Sequence, residues 1–140
     1  MRGRALVVAY WAVNAPIALE TLVGGVTDLI HGKTVLFAGP PVADVVTSLG
    51  YPVYVLSIIG FWKLLGGIVL LLPGFPRLKE WAYAGIFFEL SGASASWVLY
   101  KHDFSGAAVP AFLALLTLLS WGLRPQNRVL GVLCPVRLAS

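Results

Sequence analysis

Four apolar stretches, each long enough to cross a lipid bilayer as a helix, constrain this chain more than any other feature. A helix needs about 20 residues to span the hydrocarbon core. Runs from about residue 5 to 30, 51 to 72, 78 to 100 and 104 to 123 meet that length. Turn chemistry separates them. Gly39-Pro40-Pro41 and Gly50-Tyr51-Pro52 bracket the first connection, Pro73-Gly74-Phe75-Pro76 makes the second, and Lys101-His102-Asp103 makes the third. Pro16 and Pro110 fall inside spans, where membrane helices tolerate proline. The sequence therefore predicts an all-α, four-transmembrane-helix bundle forming one membrane domain over residues 1–140. A short interfacial helix is expected from Pro41 to Leu49. The apolar tail from Val129 to Leu138 is too short to cross and is expected along the interface.

Composition supports lipid as the solvent. Charged residues are 11% of the chain and hydrophobic ones 59%, whereas a soluble domain carries about 25% charged residues. The net charge of +4 does not point to nucleic acid, because no basic stripe runs along any segment. The single cysteine, Cys134, excludes an internal disulfide and any cysteine pair for redox or metal chemistry, and reads as a packing residue. The first run exceeds a signal-peptide core and lacks a small-residue cleavage site.

The basic residues instead report orientation. Arg2, Arg4, Arg77, Lys79, Arg124, Arg128 and Arg137 fall on the side of the termini and the second loop; only Lys33 and Lys101 fall opposite. By the positive-inside rule both termini face the cytoplasm, giving an N-in/C-in multi-pass protein of the inner (plasma) membrane. Trp11, Tyr51, Tyr54, Trp81, Tyr83, Tyr100 and Trp121 lie near span ends, as interfacial anchors do.

Four ionisable residues remain inside the spans: Glu20 and Asp28 in the first, Lys63 in the second, Glu89 in the third. Each costs about 2.5–3.5 kcal/mol at the bilayer centre, so such groups are paired or used. Helical rise places Glu20 about 16 Å, Lys63 about 18 Å and Glu89 about 20 Å below the outer helix ends. Those three share a midplane layer, and Asp28 lies about 12 Å nearer the outside. Two carboxylates cannot both be satisfied by one ammonium. One pairs with Lys63, and the other is favoured in its protonated form, a usable general acid or proton carrier. Glu20, Glu89, Lys63 and Asp28 are thus the candidate catalytic residues. The bland alternative is a salt bridge beside a neutral acid that fixes helix packing. Asn14, Trp62, Phe88, Ser91 and Trp97 are candidates for binding a substrate. Thr21, Ser94, Ser96 and Phe87 add further polar and aromatic surface. Gly24-Gly25, Gly66-Gly67, Gly85 and Gly92 permit close helix approach. Gly25-Val26-Thr27-Asp28-Leu29 weakly echoes Gly60-Phe61-Trp62-Lys63-Leu64. His31 and His102 end two helices on the outer side near Asp28 and Asp103. They lie in no recognised haem or metal motif, and solvated histidine is ordinary at helix ends, so no metal ligand is assigned. No nucleotide-binding glycine motif is present, and the cofactor stays unspecified.

Several words in the second and third spans carry a family resemblance: Leu49-Gly50-Tyr51-Pro52, Lys63-Leu64-Leu65-Gly66, the run from Leu71 to Gly85 that contains Pro73-Gly74-Phe75-Pro76-Arg77, and Gly92-Ala93. Over roughly residues 20 to 103 the chain resembles the DoxX-like family of small four-helix membrane proteins. The resemblance implies a bacterial cell membrane and links to sulfur-compound or quinone redox chemistry or to oxidative-stress complexes. The chain departs from the family pattern at Ser96-Trp97, where similar proteins often have Ser-His, and at Asp28, where many have lysine.

Two functions stay open at this stage. One is a small membrane enzyme or redox subunit acting on a lipophilic molecule of quinone or terpenoid type, using Glu20 and Glu89 for acid-base work. The other is a non-enzymatic membrane subunit or scaffold that stabilises an oxidoreductase or binds lipid. The expected partners are the lipid bilayer, a hydrophobic small molecule, and a second copy or a redox partner subunit; nucleic acid is not among them.

Overall fold

The computed structural model describes residues 2–33 and 39–124. The expected interfacial tail, Cys134, Arg128 and Arg137 lie outside them. Among the described residues five helices follow one another: α1 (Arg2–Ile30), α2 (Val42–Ser48), α3 (Tyr54–Leu71), α4 (Pro76–Lys101) and α5 (Phe104–Gly122). Pro16 and Pro110 sit inside unbroken helices, and α2 is the short helix expected in the first loop. By length and composition, α1, α3 and α5 are apolar enough to cross a membrane. At 26 residues α4 is also long enough, but Arg77, Lys79, Glu80 and Glu89 make it more polar.

The four long helices close into a ring in the order α1–α3–α4–α5. The α1–α3 and α4–α5 faces are the most extensive, and α3 meets α4 along a sparser one. The core joins Ile17 and Ala18 of α1, Leu70 of α3, Ile86 and Leu90 of α4, and Leu113 and Ala114 of α5. Most large apolar residues face outward, including Leu19, Trp62, Phe88 and Leu115, as the surface of a membrane helix must.

Polar groups fix the helix ends. Asp103 caps α5, its Oδ1 accepting from the backbone N–H groups of Ser105 and Gly106 and from the Ser105 hydroxyl. His31 and His102 take positive φ at the ends of α1 and α4, and His102 is the C-cap of α4. Lys79 is fully buried; its ammonium donates to the carbonyls of Val69, at 2.7 Å, and Leu72. It thus supplies positive charge to the C-terminal carbonyls of α3, where the helix dipole favours it. Buried Thr21, Thr27 and Thr117 each bond back to the carbonyl four residues earlier, so their hydroxyls need no partner from another helix.

Candidate functional site

Lys63 projects from the middle of α3 into a cluster of three carboxylates. Its Nζ lies 3.6 Å from Glu20 Oε1, 3.5 Å from Asp28 Oδ2 and 3.5 Å from Glu89 Oε1. One ammonium is shared almost evenly between α1 and α4. The expected partners Glu20 and Glu89 are both present, and Asp28, placed two turns away by residue counting, joins them. The reason is side-chain direction. Side chains lean toward the N-terminus of their own helix, so on antiparallel neighbours Asp28 and Lys63 lean toward each other, and they meet.

Glycine makes the room. A Cβ on Gly24 would fall 2.8 Å from Lys63 Nζ and 3.1 Å from Glu20 Oε1. Gly24 lies four residues from both Glu20 and Asp28, so it opens the one point on that face of α1 where the ammonium can settle between them. The next residue, Gly25, meets Gly60, one turn of α3 before Lys63, backbone to backbone. The two segments that echo each other in sequence are therefore packed against each other.

Beyond the cluster, α3 and α4 part to leave a groove of about 490 Å³. Lys63 and Glu89 are its only ionisable lining residues among those described. Its walls are apolar, including Trp62, Leu65, Val69, Trp81 and Ile86. Small residues create it: Gly66 and Ala82 line it, and a Cβ on Gly85 would meet nothing within 4 Å. Glu89 is the carboxylate turned toward the groove. Its side chain is 26% exposed, against 14% for Glu20 and 10% for Asp28.

Of the candidate binding residues, only Trp62 lines this groove. Phe88 is on the outside beside a smaller hollow of about 220 Å³ that also touches Tyr83 and Trp121. Ser91 bonds back to the Phe88 carbonyl. Trp97 packs over Gly106, with the Lys101 ammonium 5.4 Å from its ring. Asn14 is buried elsewhere, in a second polar layer between α1, α4 and α5. There its Oδ1 accepts from Tyr83 at 3.0 Å and Ser120 at 3.2 Å, while Tyr83 and Ser120 are 2.9 Å apart. Tyr83 is therefore a buried hydrogen-bonding residue and not an interfacial anchor. Beside it, Arg124 lies 5.2 Å from the Tyr83 ring and 2.6 Å from Glu80 Oε1, and Trp121 donates to Glu80 Oε2. The sequence held a signal for this layer. Asn14 precedes Glu20 by six residues and Tyr83 precedes Glu89 by six, on helices running the same way.

Among the described residues, no three His, Cys, Asp or Glu side chains are grouped to hold a metal ion. His31 and His102 are exposed helix-end residues.

No curated protein and no solved structure matches this chain. A sequence model of the DoxX-like family does match it, over residues 12–120, reaching beyond the motifs of the middle spans into both α1 and α5. With its apolar helices and that match over most of its length, the chain is a multi-pass membrane protein belonging to the DoxX-like family.

Proposed function

We propose that this protein crosses the membrane four times with both termini in the cytoplasm, and that it binds a lipophilic small molecule of quinone or terpenoid type in the α3–α4 groove. The observation that carries this reading is the groove itself, apolar along its length and bounded by Lys63 and Glu89. Its volume falls in the range of small-molecule sites, roughly 300–1,000 Å³. Glu89 is the acid within reach of an occupant, and acts as proton donor or acceptor toward it. Lys63 holds Glu89 in place, and Glu20 and Asp28 hold Lys63 from behind. A redox version of the chemistry draws its electrons from a partner subunit or bound cofactor. The length of α4 and the distribution of basic residues support the four-span, N-in/C-in arrangement, in a bacterial inner membrane.

Gly85→Leu tests this reading, because Gly85 lines the groove and a Cβ there meets nothing within 4 Å, so added bulk takes up groove space. Mass spectrometry of gently purified protein should find a co-purifying lipophilic molecule, depleted from the Gly85→Leu variant. Equal recovery from both proteins would overturn the reading.

A second reading is favoured by the threefold pairing of Lys63, which ties α1, α3 and α4 together. Under it the charges are structural, and the protein is a non-catalytic membrane subunit that stabilises an oxidoreductase or binds lipid. Gly85→Leu would then leave its behaviour unchanged.

A further inference from the structure

We infer that the occupant of the α3–α4 groove is a lipophilic cation, an apolar body bearing a protonated amine or quaternary ammonium head seated at Glu89. This rests on the groove being a binding site and narrows its occupant to an amine-bearing molecule, in place of a neutral quinone. Three carboxylates, Glu20, Asp28 and Glu89, surround one ammonium. Two other buried cations are committed elsewhere, Lys79 of α4 to the carbonyls ending α3 and Arg124, just past α5, to Glu80. The cluster is therefore short of positive charge, and in apolar surroundings protons on the carboxyls or an added cation make good the deficit.

The position of Lys63 directs that deficit into the groove. Its ammonium reaches into the gap that Gly24 leaves on α1, so the two less exposed acids lie behind it. Glu89 is left as the acid lining the groove, where one ammonium, that of Lys63, also lines the wall but is shared with Glu20 and Asp28. A cationic head beside Glu89 meets charge complementarity. A neutral head leaves the deficit in place, and a carboxylate head enlarges it. Trp62 and Trp81 on the walls are the side chains whose ring faces attract cations best and second to none among aromatics. The source is a free amphiphilic amine and not a phospholipid, because Glu89 lies 13 residues along α4 from Pro76, about 20 Å from that helix end by the helical rise. Lipid head groups stay at the surface.

The test uses the full-length protein in uncharged maltoside micelles, with empty micelles as the blank. Three probes share one alkyl tail: dodecyltrimethylammonium, dodecanol and dodecanoate. Equilibrium dialysis should show the ammonium bound about tenfold or more tighter than the alcohol, with the carboxylate weakest. Glu89→Gln should bring ammonium and alcohol close to parity, and Gly85→Leu should weaken both. Equal wild-type affinity for ammonium and alcohol would overturn the cation inference while leaving the groove as a site. Absence of binding above the blank for every probe would remove both readings. Displacement of the ammonium by phosphatidylethanolamine would overturn the assignment to a free amine. The wild-type ranking decides the matter even if Glu89→Gln fails to fold.

Discussion

Gly60 faces Gly25 across the α1–α3 seam so closely that a Cβ on Gly60 would lie 2.8 Å from the Gly25 carbonyl oxygen. The obstacle is backbone, which cannot swing aside as a side chain does. Gly60→Ala should therefore cost about 1–3 kcal/mol, the usual range for overpacking. Gly85→Ala, where no atom lies within 4 Å, should be close to neutral. Thermal unfolding in detergent compares the two, and equal losses would contradict the seam.

Lys63→Met should be the most damaging single change in the cluster, since it leaves three buried carboxyls without their shared partner. Breaking a buried ion pair from one side costs about 3–5 kcal/mol. Adding Glu20→Gln to that variant should restore part of the loss, because one uncompensated carboxylate is then gone. A double variant no more stable than Lys63→Met alone would show that Glu20 does not share the ammonium.

Glu20→Gln and Glu89→Gln should fail in different ways. Glutamine keeps shape and hydrogen bonding but cannot carry an ionisable proton. Glu89, turned toward the groove, should lose turnover or ligand binding, by about 10²–10⁴-fold in rate if it transfers a proton, with little loss of folded protein. Glu20, behind Lys63, should change stability and not binding, and by less than Lys63→Met does, because Asp28 and Glu89 still pair the ammonium. Retained activity in both variants would remove the acid-base role.

Asp103 gives a pH-dependent prediction outside the spans. The hydrogen bond from the Ser105 hydroxyl, with those from the backbone N–H groups of Gly106 and Ser105, holds its carboxyl below the usual aspartate range. A lowered folded value means the cap's contribution is complete above the ordinary pKa of about 3.9. It is lost as pH falls through the lower folded value. Amide protection at Ser105 and Gly106, taken relative to the intrinsic exchange rate at each pH, should fall on acidification in the wild type. In Asp103→Ala it should already be low at neutral pH.

Topology can be read by labelling. With Cys134 replaced by serine, cysteines at Thr47 and Ser105, both exposed, should react with a membrane-impermeant maleimide in intact cells. Reaction only after lysis would reverse the orientation.

The positions of the helices were legible because bilayer crossing demands long apolar runs and because Gly, Pro and Asp punctuate them; observed ends differ from expected ones by about three residues or fewer. The pairing of Lys63 with Glu20 and Glu89 was legible from rise per residue alone. Asp28 was among the candidate residues, but its contact with Lys63 was not expected, because counting along the axis locates backbone, and a lysine carries its charge several ångströms away from its own Cα. Tyr83 was misplaced for a different reason. Nearness to a span end does not tell an anchor facing the interface from a hydroxyl turned inward toward Asn14 and Ser120. The groove depends on where Gly66, Ala82 and Gly85 face, which the linear order of residues does not reveal.

Three polar rungs join the third helix and its approach to α4: Lys79 on the carbonyls of Val69 and Leu72, Lys63 on Glu89, and Tyr51 on Ser96 at 2.8 Å. The groove lies between the first and third, with Lys63 along its wall: its lining runs from Ile58 to Val69 on α3 and from Leu78 to Glu89 on α4. It is thus a window framed above and below, and not a shaft open at either end. Under the proposed reading a molecule would reach it sideways, from the hydrocarbon, so the bilayer would act as the first filter: a compound must dissolve in the membrane before the protein can choose it.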